Sequence, residues 1–433
     1  MKLVKMSLAA AMLMGASAFA VDNVKISGDA QVFYSTQDGK GIGYDAYTSD
    51  SDGALFDKDS SAADAALHLN VSADLLEGIS AGASYTAISS LGLENNFVSN
   101  VWAGSHTAVA PTGATYGNVL GGAKVENASW FNEAWVAVSL GKTTAKVGRM
   151  ALDTPLAFTE TWSVEQNTFE GAVILNQDLP DTTLVAAWVG NGNGTETFGQ
   201  NEQSNVQALG LAVAPIVNAN GTFTTYGTDG AYAYGIVNNS FKPLTVQAWY
   251  YDVVRLAQAY WLQADLNMEG IMVGAQYANV DAGDAGAPDA NGVFAAMLGY
   301  STDMFTVKGA YSSVDDGEGV GAGWNTATST GASKLYTEAW WNYGYVSMPD
   351  TTAFNITATA NLSGFGLGAY YTSSTTNDGM PDNSDLDMNE LTLEVTKSFG
   401  PLDAGVYYIN TDADNQNDGD AYNTVQVYLT LNF

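Results

Sequence analysis

Residues 422–433 read YNTVQVYLTLNF. Val425, Val427, Leu429, Leu431 and Phe433 share one parity, and Thr424, Gln426, Tyr428, Thr430 and Asn432 the other. Side chains of a β-strand point alternately to its two faces, so this segment is a strand with one apolar and one polar face. Residues 390–399 repeat the pattern, with Leu391, Leu393, Val395 and Phe399 opposed to Glu390, Thr392, Glu394 and Thr396. So do residues 260–267, where Leu262 and Leu266 oppose Gln263 and Asp265.

Such alternation suits a soluble β-sandwich, whose apolar faces share a core, or an outer-membrane barrel, whose apolar face meets lipid and whose polar face meets a wet lumen. The spacing predicts eighteen strands, near 24–36, 63–75, 79–88, 128–140, 143–150, 168–176, 182–190, 231–241, 244–254, 258–267, 271–280, 292–301, 304–313, 353–362, 365–374, 389–398, 402–411 and 421–433. Their connections alternate in kind. One set is short, such as 76–78, 141–142, 242–243, 302–303, 363–364 and 400–401. The other is mostly long, polar and rich in Gly and Asp: 37–62, 89–127, 191–230, 281–291, 314–352, 375–388 and 412–420. Tight turns at one rim and long loops at the other are the pattern of a transmembrane antiparallel barrel, with short periplasmic turns, long extracellular loops and an even strand number. A sandwich has no reason to sort its loops in this way. The apolar piece 206–216 leaves the strand count open by two. Tyr370-Tyr371, Tyr407-Tyr408 and Trp249-Tyr250-Tyr251 fall near outer strand ends, where interfacial aromatics are expected.

Composition narrows the function. An apolar fraction of 46% is too high for disorder, although 46 acidic residues face only 14 basic ones. So few Lys and Arg exclude a nucleic-acid partner. There is no cysteine, and His68 and His106 are the only histidines, which leaves little for thiol, zinc or histidine-based catalysis. We expect no enzyme.

Lys2 and Lys5, the apolar run 7–16 and Ala18-Phe19-Ala20 read as a signal peptide over residues 1–20, leaving 21–433 as one barrel domain. No later run is long enough for a membrane-spanning helix, so a membrane role requires the barrel. Export and barrel together predict the outer membrane of a Gram-negative bacterium.

The opening MKLVKMSLAAAMLMGASAFA, the strand VDNVKISGDAQVFYST and the ending VQVYLTLNF resemble the campylobacterial major outer membrane protein family and the wider Opr-type porins. Residues 147–168, VGRMALDTPLAFTETWSVEQNT, resemble the Opr-type strand that ends in Gly-Arg and enters a constricting loop with a D-T-P element; here these are Gly148, Arg149, Asp153, Thr154 and Pro155. The resemblance implies an eighteen-stranded barrel, a homotrimer, diffusion of small polar solutes and, in some members, bound calcium. The chain departs from the substrate-specific Opr channels in lacking enough Lys and Arg for a long basic ladder, which argues against anionic substrates.

Residues 151–167 carry Leu152, Pro155, Leu156, Phe158, Trp162 and Val164, an apolar density costly to leave in water. Folding into the barrel mouth would bury it and bring Asp153, Glu160 and Glu165 to a constriction. Glu133 and Glu170 are expected from the neighbouring walls. Lys146, and Arg149 if a bulge turns it inward, would supply opposing charge. Asp252 and Arg255 are expected to pair at the rim. Two acidic loops offer oxygen ligands of the kind calcium takes: Asp378, Asp382, Asp385 and Asp387, and Asp412, Asp414, Asp418 and Asp420. Neither has EF-hand spacing, and no cofactor is required.

The expected function is a water-filled, cation-preferring porin for passive diffusion of small hydrophilic solutes and ions, set among outer-membrane lipid and lipopolysaccharide. The alternative is an adhesin or structural barrel whose loops bind surfaces.

Overall fold

The computed structural model describes residues 22–39, 54–89, 91–93, 97–98, 127–194, 217, 221–283, 290–317, 321–328, 331–379 and 383–433. Eighteen antiparallel strands form the barrel: β1 Asp22–Gln37, β2 Ser61–Leu76, β3 Ile79–Ser89, β4 Asn127–Leu140, β5 Thr143–Met150, β6 Phe169–Asn176, β7 Thr182–Gly192, β8 Ala231–Asn238, β9 Leu244–Val253, β10 Ala257–Met268, β11 Ile271–Asp281, β12 Asn291–Ser301, β13 Phe305–Val314, β14 Thr351–Leu362, β15 Phe365–Thr376, β16 Leu386–Phe399, β17 Leu402–Ala413 and β18 Tyr422–Asn432. Each pairs with its neighbours in sequence. β1 closes the ring on β18, in a register running from Asp29 opposite Asn432 to Gln37 opposite Thr424. Phe433 completes the seam, exchanging two 2.9 Å backbone hydrogen bonds with Gly28. Its ring lies where a Cβ on residue 28 would stand, so a side chain there would push the terminal aromatic off the wall.

Closure pairs every strand edge, which a spanning sheet needs because lipid offers no hydrogen-bond partners. The turns at one rim, such as 77–78, 141–142, 269–270 and 400–401, are short; the connections at the other are long except for 254–256. The parity expected for β16 and β18 holds. Leu391, Leu393, Val395, Leu429 and Leu431 are exposed outward, while Glu390, Thr392, Thr424 and Gln426 are buried inside. Outward aromatics form two girdles: Tyr232, Tyr250, Tyr260, Tyr277 and Tyr311 toward the long-loop rim, and Tyr300, Phe305, Phe365, Phe399 and Phe433 toward the short-turn rim. The barrel is thus built for the bacterial outer membrane. One correction concerns the adjacent aromatics. Only Tyr250, Tyr371 and Tyr408 take the outward parity; Trp249, Tyr251, Tyr370 and Tyr407 point into the lumen.

The lumen is polar on only part of its circumference. On β6–β12 its face is apolar toward the long-loop rim, with Phe169, Val189, Trp249, Tyr251, Trp261 and Val280 in one buried cluster. There the strands are apolar on both sides because that part of the lumen is filled with protein rather than water. Leu152, Leu156 and Ala157 cover this face from the 151–168 connection, and Ala322, Ala327 and Leu335 from the 315–350 connection.

The expected signal peptide, His106 and the 206–216 piece lie outside the described residues.

Candidate pore and its constriction

Two connections fold into the barrel. The first, 151–168, does so as its apolar residues predict, and ends in a small hairpin pairing Thr161–Trp162 with Glu165–Gln166. The second, 315–350, reads in the sequence as an ordinary outer loop, and the structure corrects that. Gln276 of β11 holds it from the wall: its Nε2 donates to the Lys334 carbonyl at 2.8 Å, and its Oε1 accepts from the Tyr336 amide at 3.1 Å. Glu390 of β16 holds it further on, accepting from the amides of Trp340, Trp341 and Asn342 at 2.8, 3.0 and 2.7 Å and from Asn342 Nδ2 at 2.8 Å. A buried carboxylate is tolerable only with donors converging on it, and here backbone N–H groups supply them.

The two connections are joined to each other. Asn325 Nδ2 donates to the Phe158 carbonyl at 2.9 Å and to Glu160 Oε1 at 2.7 Å, and the Phe158 amide donates to Asn325 Oδ1 at 3.1 Å. Thr326 donates to the Leu156 carbonyl at 2.7 Å, and Lys334 forms an ion pair with Asp153.

Beside this plug remains an opening of about 910 Å³. It follows the other arc of the wall, β13–β15, β17 and β18 and then β1–β4. Asp29 and His68 line it from β1 and β2, Asn132 from β4, and Lys308 from β13; the infolded connections add Glu165, Lys334 and Glu338. His68 Nδ1 sits 2.7 Å from Asp29 Oδ2, and its Nε2 lies 3.8 Å from Glu165 Oε2, so it bridges the wall to the hairpin. Burial raises the Glu165 carboxyl above the usual range, against a lowering pull from His68. Burial pushes Glu338 up to about 7, although it accepts from the Ser333 and Ala339 amides at 2.7 and 3.0 Å.

The residues expected at the constriction separate into groups. Glu165 bounds the opening. Asp153 is highly exposed and paired with Lys334, which itself lines the opening. Glu160 is buried between the two plugging connections and points away from the passage. Glu133 and Lys146 face inward 4.0 Å apart, with Lys146 Nζ 4.3 Å from the Trp135 ring centroid, but they do not bound the main opening. Arg149 and Glu170 are direct cross-strand partners on the outward parity shared with Val147 and Ile174. Their side chains pair at 2.8 Å, and Arg149 stacks on Phe223 at 4.2 Å. They form a rim clasp outside the lumen, so Glu170 leaves the polar parity assigned to it and Arg149 does not turn inward.

A bulge does occur, one strand away. In β4 the pairing steps from Glu133 to Phe131, leaving Asn132 as the extra residue. Asn132 Nδ2 donates to Glu165 Oε1 at 3.1 Å and to the Gln166 carbonyl at 3.0 Å. The bulge therefore aims an amide at the hairpin, as bulges re-aim side chains elsewhere. Sequence periodicity carries no signal for it.

At the rim, Arg255 pairs with Asp229 and not with Asp252. Among the proposed calcium ligands, Asp382 lies outside the described residues. The Asp387 amide donates to Asp414 Oδ2 at 2.9 Å and the Asp378 amide to Asp385 Oδ1 at 3.4 Å. Among the described residues no three or more His, Cys, Asp or Glu side chains converge as an ion site. Asp412, Asp418 and Asp420 belong to no such group.

No family profile matches the chain. No curated protein matches it either. Solved structures do. Acinetobacter baumannii OccAB3 superposes with a TM-score of 0.69 at 12% identity, covering 95% of this chain and 99% of that one. Pseudomonas aeruginosa OccK1 (OpdK) gives 0.68 at 11%, covering 95% and 98%. P. aeruginosa OccK8 (OprE) gives 0.66 at 12%, again covering 95% and 98%. The likeness spans nearly the whole of each chain and is one of fold; it falls on the Occ and Opr barrels and not specifically on the campylobacterial branch.

Proposed function

We propose that the protein is a passive-diffusion channel for small hydrophilic solutes, with a preference for cations. The observation that carries this reading is the asymmetric plug: two infolded connections cover the apolar arc of the lumen and leave an opening on the polar arc. Acids gather at one side, with Asp29 on β1 and Glu165 beside it, while Lys308 enters from β13. Such an arrangement sets a field across the passage, and the strongly acidic chain biases it toward cations. The adhesin alternative loses support, since the long connection 315–350 turns inward instead of presenting itself at the surface.

The campylobacterial affinity and a trimeric assembly rest on the sequence resemblance alone. Calcium in the acidic outer loops would be accessory to conduction. Planar-bilayer recording tests the reading. Stable single-channel currents with a reversal potential toward the cation equilibrium value are expected in a salt gradient; a silent barrel would refute it.

A further inference from the structure

Resting on the channel reading, we propose that the opening contains a stacking site for saccharides, so that neutral sugars are retained in transit. Three observations carry it. First, aromatic rings line one side of the opening. Tyr370 comes from β15, Tyr407 from β17, Tyr428 from β18 and Trp340 from the infolded connection. They are not isolated core residues, because each is half-buried and borders the open space.

Second, the rings lie along the wall. A Cβ on Gly368 would stand 2.7 Å from the Tyr370 ring, and one on Gly405 would stand 2.9 Å from the Tyr407 ring. Each tyrosine thus lies over a glycine two residues away on its own strand. Trp340 then stacks on Tyr407, with centroids 4.6 Å apart and planes at 26°, and Tyr428 meets Tyr407 edge-on at 5.5 Å. Tyr370, laid flat on the wall, turns its other face to the opening, while Tyr407, between Gly405 and Trp340, backs the indole that a solute would meet.

Third, the remaining boundary is uncharged and polar at several points. Gln31 and Asn70 come from β1 and β2. A pyranose has C–H groups on its faces and hydroxyls around its edge. An aromatic row beside amide side chains matches both, since the electron-rich ring face attracts the polarised C–H groups and the amides exchange hydrogen bonds with the hydroxyls. Ion conduction needs no such row.

The test is current recording of the full-length protein in planar bilayers with potassium chloride, adding a linear glucose trisaccharide. A polyethylene glycol of matched size serves as the control. The trisaccharide should produce concentration-dependent interruptions of the current that the glycol does not. Tyr407→Leu and Trp340→Leu should each raise the half-blocking concentration by about two- to tenfold. Tyr407→Phe, which keeps the ring, should leave it unchanged. All variants should still give stable single-channel currents, which confirms an assembled barrel. Normal conductance without sugar-specific interruptions overturns this inference and leaves the channel reading standing. Interruption by tetraalkylammonium ions in place of sugar also overturns it. No conductance at all overturns both.

Discussion

Asn325, fully buried, donates one amide to Glu160 at 2.7 Å and thereby ties two connections that meet nowhere in sequence. The plug is held together by bonds of this kind, and its position defines the passage. Replacing Asn325 with Leu keeps the volume but leaves Glu160 and the Phe158 backbone short of partners. An unsatisfied buried group costs ~1–3 kcal/mol, more where it is charged. Asn325→Leu should therefore lower the midpoint of heat-induced barrel unfolding in detergent and raise open-channel noise. A quiet channel of unchanged midpoint would mean that the apolar packing of Leu156 and Leu335 alone secures the plug.

Adjacent residues on β2 test the two faces of the wall. Leu69 is exposed outward and Asn70 borders the opening, one position on. An Arg near the bilayer midplane costs ~2–4 kcal/mol on the lipid face of such barrels. Leu69→Arg and Leu393→Arg should both impair folding into lipid vesicles by this order, whereas Asn70→Arg should fold normally and narrow the channel. Thr392 takes the inward parity as its sequence predicts, yet Thr392→Arg should be damaging. The residue is fully buried beside Glu390, where the 340–342 segment is clamped. Parity identifies the side; it says nothing of what fills the lumen there.

That distinction marks how far the sequence is legible. The eighteen strands and the sorting of their connections follow from period-two alternation and turn chemistry. The infolding of 151–168 follows from its apolar density. The same argument applied to Leu335, Tyr336, Trp340, Trp341 and Tyr343 would have brought 315–350 inside as well. The polar residues between them conceal it, because Asn325, Thr328, Thr337 and Asn342 resemble surface residues until their partners are known. The double-sided apolar strands β7–β9 carry a second overlooked signal: in a barrel, an apolar inner face implies a plug. The bulge at Asn132 and the outward placement of Glu170 depend on register, to which composition is blind.

Selectivity should follow the carboxylates that border the opening. Charges in the outer loops are screened within ~10 Å at 0.1 M salt and ~3 Å at 1 M, so their influence should fade as salt rises. Carboxylates inside a narrow passage should keep more of theirs. Paired substitution Asp29→Asn with Glu338→Gln should move the reversal potential toward zero at moderate salt while conduction continues. Glu160→Gln should leave the reversal potential unchanged, since that carboxylate faces Asn325 and Thr328 inside the plug. A shift from Glu160→Gln and none from the pair would place the selectivity filter within the seam between the two connections.

Removing divalent ions separates the accessory role of the acidic outer loops from conduction. The Asp387 amide already bonds Asp414, and the Asp378 amide bonds Asp385, so these two carboxylates have backbone partners without an ion. Single-channel conductance should be the same in EDTA and in millimolar calcium. A calcium-dependent rise in the unfolding midpoint with constant conductance would indicate an ion in these loops; a loss of conductance in EDTA would make it part of the pore.

The cation preference itself should depend on pH near neutrality. Burial pushes the Glu338 carboxyl up to about 7, and Glu338 borders the opening. A raised acid pKa means that the group is neutral below that value and carries its negative charge above it. Raising the pH through 7 therefore adds negative charge to the passage, and lowering it removes charge. Reversal potentials measured between pH 5.5 and 8.5 should show cation preference increasing with a midpoint near 7. Glu338→Gln should flatten that step, because the amide is neutral throughout, and should hold the channel at the weaker preference seen at low pH. A step that persists in Glu338→Gln would show that a group other than Glu338 sets the pH dependence.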